Sequence, residues 1–191
     1  MIHIEQRVDF ETTREKVWEF LNDVDRVATC MPGVTSLEHL GNDSYKVQLG
    51  VQVGPIKANF AGKVTIYERV PLERMLVRLD WKDAETASKA RAEGVIELSD
   101  SLGATGGSPD TPVVTVLVKG DVDLMGVLGK YGGGIADRKA AEIAQAFAEC
   151  ARAELGLAPK VVAAPTPGLW ARFAAALKRL FGRLFGQKAS E

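Results

Sequence analysis

The chain has 191 residues, of which 46% are apolar and 26% are charged, and its net charge at pH 7 is −1; these are ordinary values for a folded domain plus an appendage. No run of 18 uncharged apolar residues occurs, which excludes a protein that crosses the membrane with helices. The first ten residues contain acids and no apolar core, so we expect no secretory signal and a body that stays in the cytoplasm.

The chain begins with a predicted strand and two predicted helices. Residues 2–10 alternate partly between apolar and polar side chains, as a strand does. Thr12, with Glu15 three residues later, predicts a capped helix over residues 12–23. A second short helix, about 24–31, ends at a Pro-Gly pair that cannot continue it.

Between residues 34 and 124 the apolar residues recur with a period of two, which is typical of strands. Six such segments are separated by Gly, Pro, Asp or other polar breakers, so we expect antiparallel strands with short connections. They are VTSLEHL, SYKVQLGVQV, IKANFAGKVTIYERV, MLVRLDWK, KARAEGVIELS and PVVTVLVKGDVDL. The link over residues 101–112 is rich in Gly, Ser and Pro and predicts a solvent-facing insertion.

Residues 135–155 predict the longest helix of the body, which ends at Gly156, a usual stop residue. Its apolar face consists of Ile135, Ala136, Ala140, Ile143, Ala144, Phe147 and Ala151. The preceding GKYGGG lacks the GxxxxGK[ST] pattern of a phosphate loop. We therefore expect a flexible hinge before the helix, with Tyr131 as a polar gatekeeper.

This order of elements predicts an α+β fold of the helix-grip type. A curved antiparallel sheet of about seven strands around one long C-terminal helix is the economical way to bury both apolar faces. We expect this domain to cover residues 1–155, with a Pro/Ala-rich flexible linker over 156–168 and an amphipathic tail helix over 169–186.

The tail segment PGLWARFAAALKRLFGRLFG is basic and amphipathic. Residues 155–191 contain six lysines and arginines against one acid, so the tail carries about +5 and the body about −6. Large apolar side chains on one side and arginines on the other are typical of a helix lying in a membrane interface. The predicted membrane-binding residues are Leu169, Trp170, Arg172, Phe173, Leu177, Lys178, Arg179, Leu180, Phe181, Arg183, Leu184 and Phe185. Packing on this protein's own body or in a partner's groove is the alternative.

Three stretches of the body together resemble one protein family. VWEFLNDVDRVATCMPGV, VQVGPIKANFAGKVTI and the Gly-rich GVLGKYGGG are similar to the family of the CoxG subunit of carbon monoxide dehydrogenase, within the START-like, polyketide cyclase-like (SRPBCC) superfamily. The resemblance covers about residues 2–155. It implies a hydrophobic cavity between the sheet and the long helix. It also implies an accessory protein that places a molybdenum hydroxylase at the cytoplasmic membrane and connects it with respiratory quinone.

Small residues on both facing walls favour a cavity. Ala90, Ala92 and Gly94 share a strand face, and the long helix presents alanines toward it, although close packing of helix and sheet would use the same residues. The candidate lining residues are Val51, Val53, Phe60, Val64, Val77, Leu79, Trp81, Ile96, Val116, Val118, Leu128, Tyr131, Ile143 and Phe147. Such an apolar pocket suits an isoprenoid or a flat apolar ring, so the resemblance and the composition favour a bound quinone or other prenyl lipid such as menaquinone.

The inventory of chemically active groups is thin. His3 and His39 have no second ligand at metal spacing, so we expect surface or structural histidines and no metal. Asp121 and Asp123 share a strand face that we expect to be exposed. The two cysteines lie far apart, and we expect them to remain thiols rather than to form a disulfide or a zinc site. The acidic body also argues against nucleic acid.

These observations favour a non-enzymatic protein that is peripheral on the inner face of the cell membrane. It would carry a quinone-like hydrophobic molecule in its cavity, dock on anionic lipid through its tail, and serve a molybdenum hydroxylase such as carbon monoxide dehydrogenase. Two alternatives remain open at this point. One is a small cyclase or hydrolase of the same superfamily that uses Tyr131 with an acid, and the other is an assembly chaperone without a ligand.

Overall fold

The computed structural model describes residues 1–53, 56–83, 85, 88–101, 112–126 and 132–158, with the backbone alone at 53, 56, 101, 132–134 and 136. Ten elements follow one another along the chain. They are β1 (Ile2–Phe10), α1 (Arg14–Asn22), α2 (Val24–Cys30), β2 (Val34–Gly41), β3 (Ser44–Val53), β4 (Ile56–Val70), β5 (Arg74–Asp83), β6 (Lys89–Ser101), β7 (Val113–Met125) and α3 (Gly132–Glu154).

The seven strands form one antiparallel sheet in the order β1-β7-β6-β5-β4-β3-β2. Strands β2 to β7 are a simple meander, and α1 and α2 carry the chain from β1 at one edge to β2 at the other. Register shifts in β2 and in β4, between Ile66 and Glu68, mark bulges that increase the local twist and bend of the sheet. The predicted helix-grip fold is confirmed.

One face of the sheet, which we call the inner face, carries the apolar side chains that the helices cover. In β6 this face carries Ala90, Ala92, Gly94, Ile96 and Leu98, while Lys89, Arg91 and Glu93 between them are exposed. The alternation predicted from the sequence therefore places these residues correctly. Helix α3 packs on the inner side against β1 and α2.

Helix boundaries agree with the prediction at one end of α3 and differ at the other. Gly156 has a φ of +68° just beyond the helix, and the Leu157 N–H donates to the Arg152 carbonyl at 2.8 Å, which is a glycine C-cap. At the start, Gly132 to Gly134 form the first turn of α3, so the expectation that these glycines precede the helix as a hinge is wrong. Low glycine propensity is a weak preference that tertiary context overrides.

The caps of the first two helices also differ from expectation. The N-cap of α1 is Thr13 rather than Thr12, and its side chain makes no capping hydrogen bond. Helix α2 is capped instead, because the Asp23 carboxylate accepts from the Arg26 N–H at 3.2 Å.

The chain divides into two units, Met1–Pro159 and Lys160–Glu191, and the second lies outside the described residues. The predicted tail helix and most of the predicted linker fall there. Of the helices in the described part of the chain, none is long and apolar enough to cross a membrane.

Candidate functional site

The apolar side chains of the inner face form two clusters, and Val34 packs against both. The first cluster joins the sheet to all three helices. Its buried members are Phe10, Val17, Phe20, Leu21, Cys30, Tyr45, Val47, Ile66, Met75, Leu98, Val114, Val116 and Ala151. The second cluster lies where β3, β5 and β7 end and β4 and β6 begin. It consists of buried Leu49, Ala58, Phe60 and Ala90, with partly buried Val34, Val51, Trp81 and Leu124 around them.

The predicted cavity residues whose side chains are described on the strands fall on the inner face, and most of them belong to one or the other cluster. Val64, Val77, Ile96 and Phe147 pack against the first cluster, and Val116, at 3% exposure, lies in its close-packed interior. Val51, Phe60 and Trp81 belong to the second cluster. Leu79 is half-buried, and Val118 is 38% exposed although it points inward. The inner face thus contains apolar surface that is only partly covered.

Small residues lie in the middle of the inner face, between the two clusters. Gly94 in β6 is paired directly with Gly120 in β7. A Cβ at Gly120 would lie 2.9 Å from the Glu93 carbonyl oxygen, and one at Gly94 would lie 2.8 Å from the Lys119 carbonyl oxygen. Sequence reasoning identified Gly94 but missed Gly120, which a glycine inside a strand pattern could have signalled.

A pocket of about 330 Å³ opens between the turn after α2, the end of β3 and the first half of α3. It is lined by Pro32, Gly33, Gly50, Val51, Gln52, Lys139, Glu142, Ile143 and Ala146. Its volume lies in the range of small-molecule sites. The structure therefore brings together two of the predicted lining residues, Val51 and Ile143, which are far apart in the sequence.

The turn that forms one wall of this pocket is fixed by a glycine pair. The Gly50 N–H donates to the Gly33 carbonyl at 2.8 Å, and Gly33 has a φ of +88°. A Cβ at Gly33 would lie 2.3 Å from the Gly50 carbonyl oxygen, so a glycine is required there. The opposite wall carries charge at its rim, where Lys139 donates to Glu142 at 2.6 Å.

The two cysteines form a disulfide, and the expectation of free thiols is wrong. Cys30 at the end of α2 and Cys150 in α3 are 120 residues apart in the chain, but their Cα atoms lie 5.3 Å apart. Spacing along the chain could not reveal this pairing, because the fold alone places α2 beside α3. Cys30 lies two residues before Pro32 of one pocket wall, and Cys150 lies one helical turn beyond Ala146 of the other.

A buried arginine, which sequence reasoning also missed, holds the second half of α3 to the end of β1. Arg152 is 4% exposed, and its guanidinium donates to the Glu11 carboxylate and to the Asp9 carbonyl. The same group lies 5.6 Å from the centroid of the Phe10 ring. One end of α3 is therefore fixed by charge as well as by the disulfide.

Toward the edge of the sheet opposite β1, Arg69 in β4 pairs with Asp43 in the turn between β2 and β3. Partial burial opposes the charge on Arg69, but hydrogen bonds and charge interactions with Asp43 and Tyr45 outweigh that effect and raise its pKa above the ordinary value. The group therefore stays protonated and fixes the turn. Its Nε and the Trp81 Nε1 are buried, and neither has a hydrogen-bond partner in the described part of the chain.

The histidines and aspartates considered for catalysis lie outside the pocket. His3 pairs with exposed Asp121 at 3.2 Å, and His39 pairs with exposed Asp25 at 3.0 Å. Asp123 lies on the same outer face as Asp121, as the alternation predicts. Within the described residues, no group of three or more His, Cys, Asp or Glu side chains could hold a metal ion.

Several predicted site residues cannot be placed. Leu128, Tyr131 and all the predicted membrane-binding residues lie outside the described residues, as do the side chain of Val53 and most of the link over 101–112. Predictions about them remain predictions.

Comparison with known proteins identifies one family and several structures of the same fold. Residues 7–156 match the family model that describes CoxG, the G subunit of carbon monoxide dehydrogenase. No curated protein matches the chain. A conserved protein from Geobacillus kaustophilus is similar in structure, with a TM-score of 0.69 and 20% identity, over 80% of this chain and 93% of that one.

Two further solved structures are more distant. The Zhui aromatase/cyclase from Streptomyces sp. R1128 has a TM-score of 0.52 and 14% identity, over 81% of this chain and 93% of that one. A Deinococcus radiodurans protein has a TM-score of 0.51 and 14% identity, over 81% of this chain and 99% of that one. At such identities these likenesses show a shared fold alone.

Proposed function

Because the chain belongs to the CoxG family of carbon monoxide dehydrogenase subunits, we propose that it carries a respiratory quinone for a molybdenum hydroxylase at the cytoplasmic membrane. Family membership implies an accessory role for carbon monoxide dehydrogenase, and the family is generally considered non-catalytic. Quinone carriage and attachment to the membrane are the parts of the proposal that go beyond family membership.

The pocket beside α3 is the observation that supports ligand carriage. Its walls carry Val51 and Ile143, and charge is confined to the Lys139–Glu142 pair at the rim. Inward-facing apolar surface is also exposed elsewhere on the sheet, since Val118 in β7 is 38% exposed. A ligand with a flat apolar ring and a prenyl chain would cover such a surface, and its burial would drive binding.

Binding can be tested with the full-length protein. Organic extraction of freshly purified protein followed by mass spectrometry should recover a prenyl quinone. Calorimetric titration with a naphthoquinone that carries one prenyl group should show saturable binding. Ile143→Arg should weaken binding at least about tenfold, because it puts an unpaired charge in the pocket wall.

The matched control is Gln145→Arg, which adds the same charge to the exposed face of α3. It should bind like the wild type. Protein that is consistently empty and does not bind the naphthoquinone would refute quinone carriage.

The basic tail is the part of the chain that we propose to attach to the membrane. The support comes from the sequence, in which arginines and large apolar residues occupy opposite sides of residues 169–186. Each basic residue near an anionic leaflet contributes about 1 kcal/mol, and this contribution weakens as salt increases. Apolar side chains add to it by partial burial.

Co-sedimentation with vesicles that contain anionic lipid tests the attachment. The full-length protein should sediment with them, and a variant with Arg172, Arg179 and Arg183 changed to Glu should not. The control changes three exposed lysines of the body, Lys16, Lys63 and Lys82, to Glu. Equal loss in both variants would mean that net charge, rather than the tail, governs binding.

A further inference from the structure

Trp81 is an unusual component of the second cluster. In the sheet it lies between Gly62 of β4 and Ala90 of β6, on the inner face. A Cβ at Gly62 would lie 2.2 Å from Cδ1 of the indole, so the ring lies across the backbone of that glycine. The ring is half-buried, and its centroid is 6.3 Å from that of Phe60 at an interplanar angle of 31°.

The indole N–H of Trp81 is buried and has no hydrogen-bond partner among the residues that the structure describes. Buried tryptophan donors usually find an acceptor, and a buried donor without one is destabilising. A phenylalanine, although smaller, would pack between the same apolar neighbours without that penalty. The donor is explained if an acceptor reaches it from a molecule that binds beside the ring.

Apart from Trp81 itself, every member of the second cluster has a purely hydrocarbon side chain. Two buried polar side chains, Asp83 and Ser88, lie where β5 ends and β6 begins. Asp83 accepts from the Asn59 N–H at 3.0 Å, and both side chains have further partners. Glu142 at the pocket rim is exposed and paired with Lys139. The described part of the second cluster therefore offers a hydrogen-bond donor and no free side-chain acceptor.

We propose that the Trp81 N–H binds a carbonyl oxygen of the carried ligand, and that the cavity therefore prefers the oxidised quinone to the quinol. This inference rests on the proposed function. A quinone oxygen only accepts a hydrogen bond, so one donor among apolar groups satisfies it. A quinol brings two O–H donors, and burying them without acceptors is unfavourable. A carrier with this preference loads the form that accepts electrons and loses the form that has received them.

Binding includes a turn of the indole. The Trp81 Nε1 is covered, so the ring must rotate to present its N–H to the ligand. No hydrogen bond to a described residue has to break during this rotation.

The test compares three ligands by calorimetric titration of the full-length protein under nitrogen. They are the prenyl naphthoquinone, its quinol, and the corresponding prenyl naphthalene without oxygen. Wild-type protein should bind the quinone at least about tenfold more tightly than the quinol, because the two O–H donors of the bound quinol find no acceptor. Trp81→Phe should weaken quinone binding about fivefold and leave naphthalene binding unchanged.

Trp18→Phe is the matched control, since Trp18 is half-buried against the first cluster and should leave all three affinities unchanged. If Trp81→Phe unfolds, benzothienylalanine at position 81 keeps the ring shape and removes the N–H. Equal affinities of the wild type for quinone and quinol, or equal losses for quinone and naphthalene at position 81, overturn the inference and leave quinone carriage intact. Absence of binding by all three ligands refutes the proposed function itself.

Discussion

The two halves of α3 differ in how they are held to the sheet. The second half is fixed by the disulfide through Cys150, by buried Arg152, and by Phe147, whose ring lies 6.1 Å from that of Phe20. The first half forms a wall of the pocket through Ile143 and carries its ion pair at the rim. A domain that keeps an open pocket gives up some apolar burial there. The second half of α3, which we call the closed end, compensates for that loss. One half of the helix therefore stabilises the fold, and the other half forms the binding pocket.

If the two halves of α3 differ in this way, removing the disulfide should cause the largest loss of stability. Closing a loop of about 120 residues stabilises a fold by about 3 to 5 kcal/mol in the chain-entropy model. Cys30→Ser with Cys150→Ser, or reduction by dithiothreitol, should lower the melting temperature by roughly 10 °C. Thermal melts of both forms measure this difference. A wild type that melts at the same temperature with and without reductant would mean that the disulfide does not hold the closed end.

Arg152→Met should cause the second largest loss of stability. It removes the hydrogen bonds that Arg152 donates to half-buried Glu11 and to the Asp9 carbonyl, which is expected to cost about 2 to 3 kcal/mol. Urea unfolding measures the change. The control is Arg78→Met, because Arg78 pairs with Glu93 at 2.7 Å in an exposed position and such pairs contribute less than about 1 kcal/mol. Similar losses in the two variants would contradict the special role of the closed end.

The same substitution, Ala→Leu, at two positions should have the smallest effects on stability, and it compares the closed end directly with the half-covered part of the inner face. Ala151→Leu, at a position with 0% exposure, should destabilise the closed end by about 1 to 3 kcal/mol through overpacking. Ala92→Leu, on the half-covered part of the inner face, should change stability by less than about 0.5 kcal/mol. It should instead reduce naphthoquinone binding, because the side chain fills space that the ligand needs. If Ala92→Leu destabilised the protein and Ala151→Leu reduced naphthoquinone binding instead, the open space would lie beside Ala151.

Much of the fold could be read from the sequence because its signals are local. Alternation identified every strand, and it placed Ala92 and Gly94 on the inner face. The candidate pocket was harder. Val51 and Ile143 could be predicted to face inward, but that they share one pocket depends on how α3 lies over β3. Phe147 was also predicted to line the cavity, and it packs against the first cluster.

The sequence by itself determined the secondary structure, the apolar inner face, the glycine end of α3 and the family, because period, turn residues and motifs act over a few residues. The tertiary structure decided the disulfide, the burial of Arg152 and the unpaired N–H of Trp81. Each of these depends on which groups from distant parts of the chain meet. Pairing, burial and the lack of a partner are properties of an environment, and that environment exists only after the chain has folded.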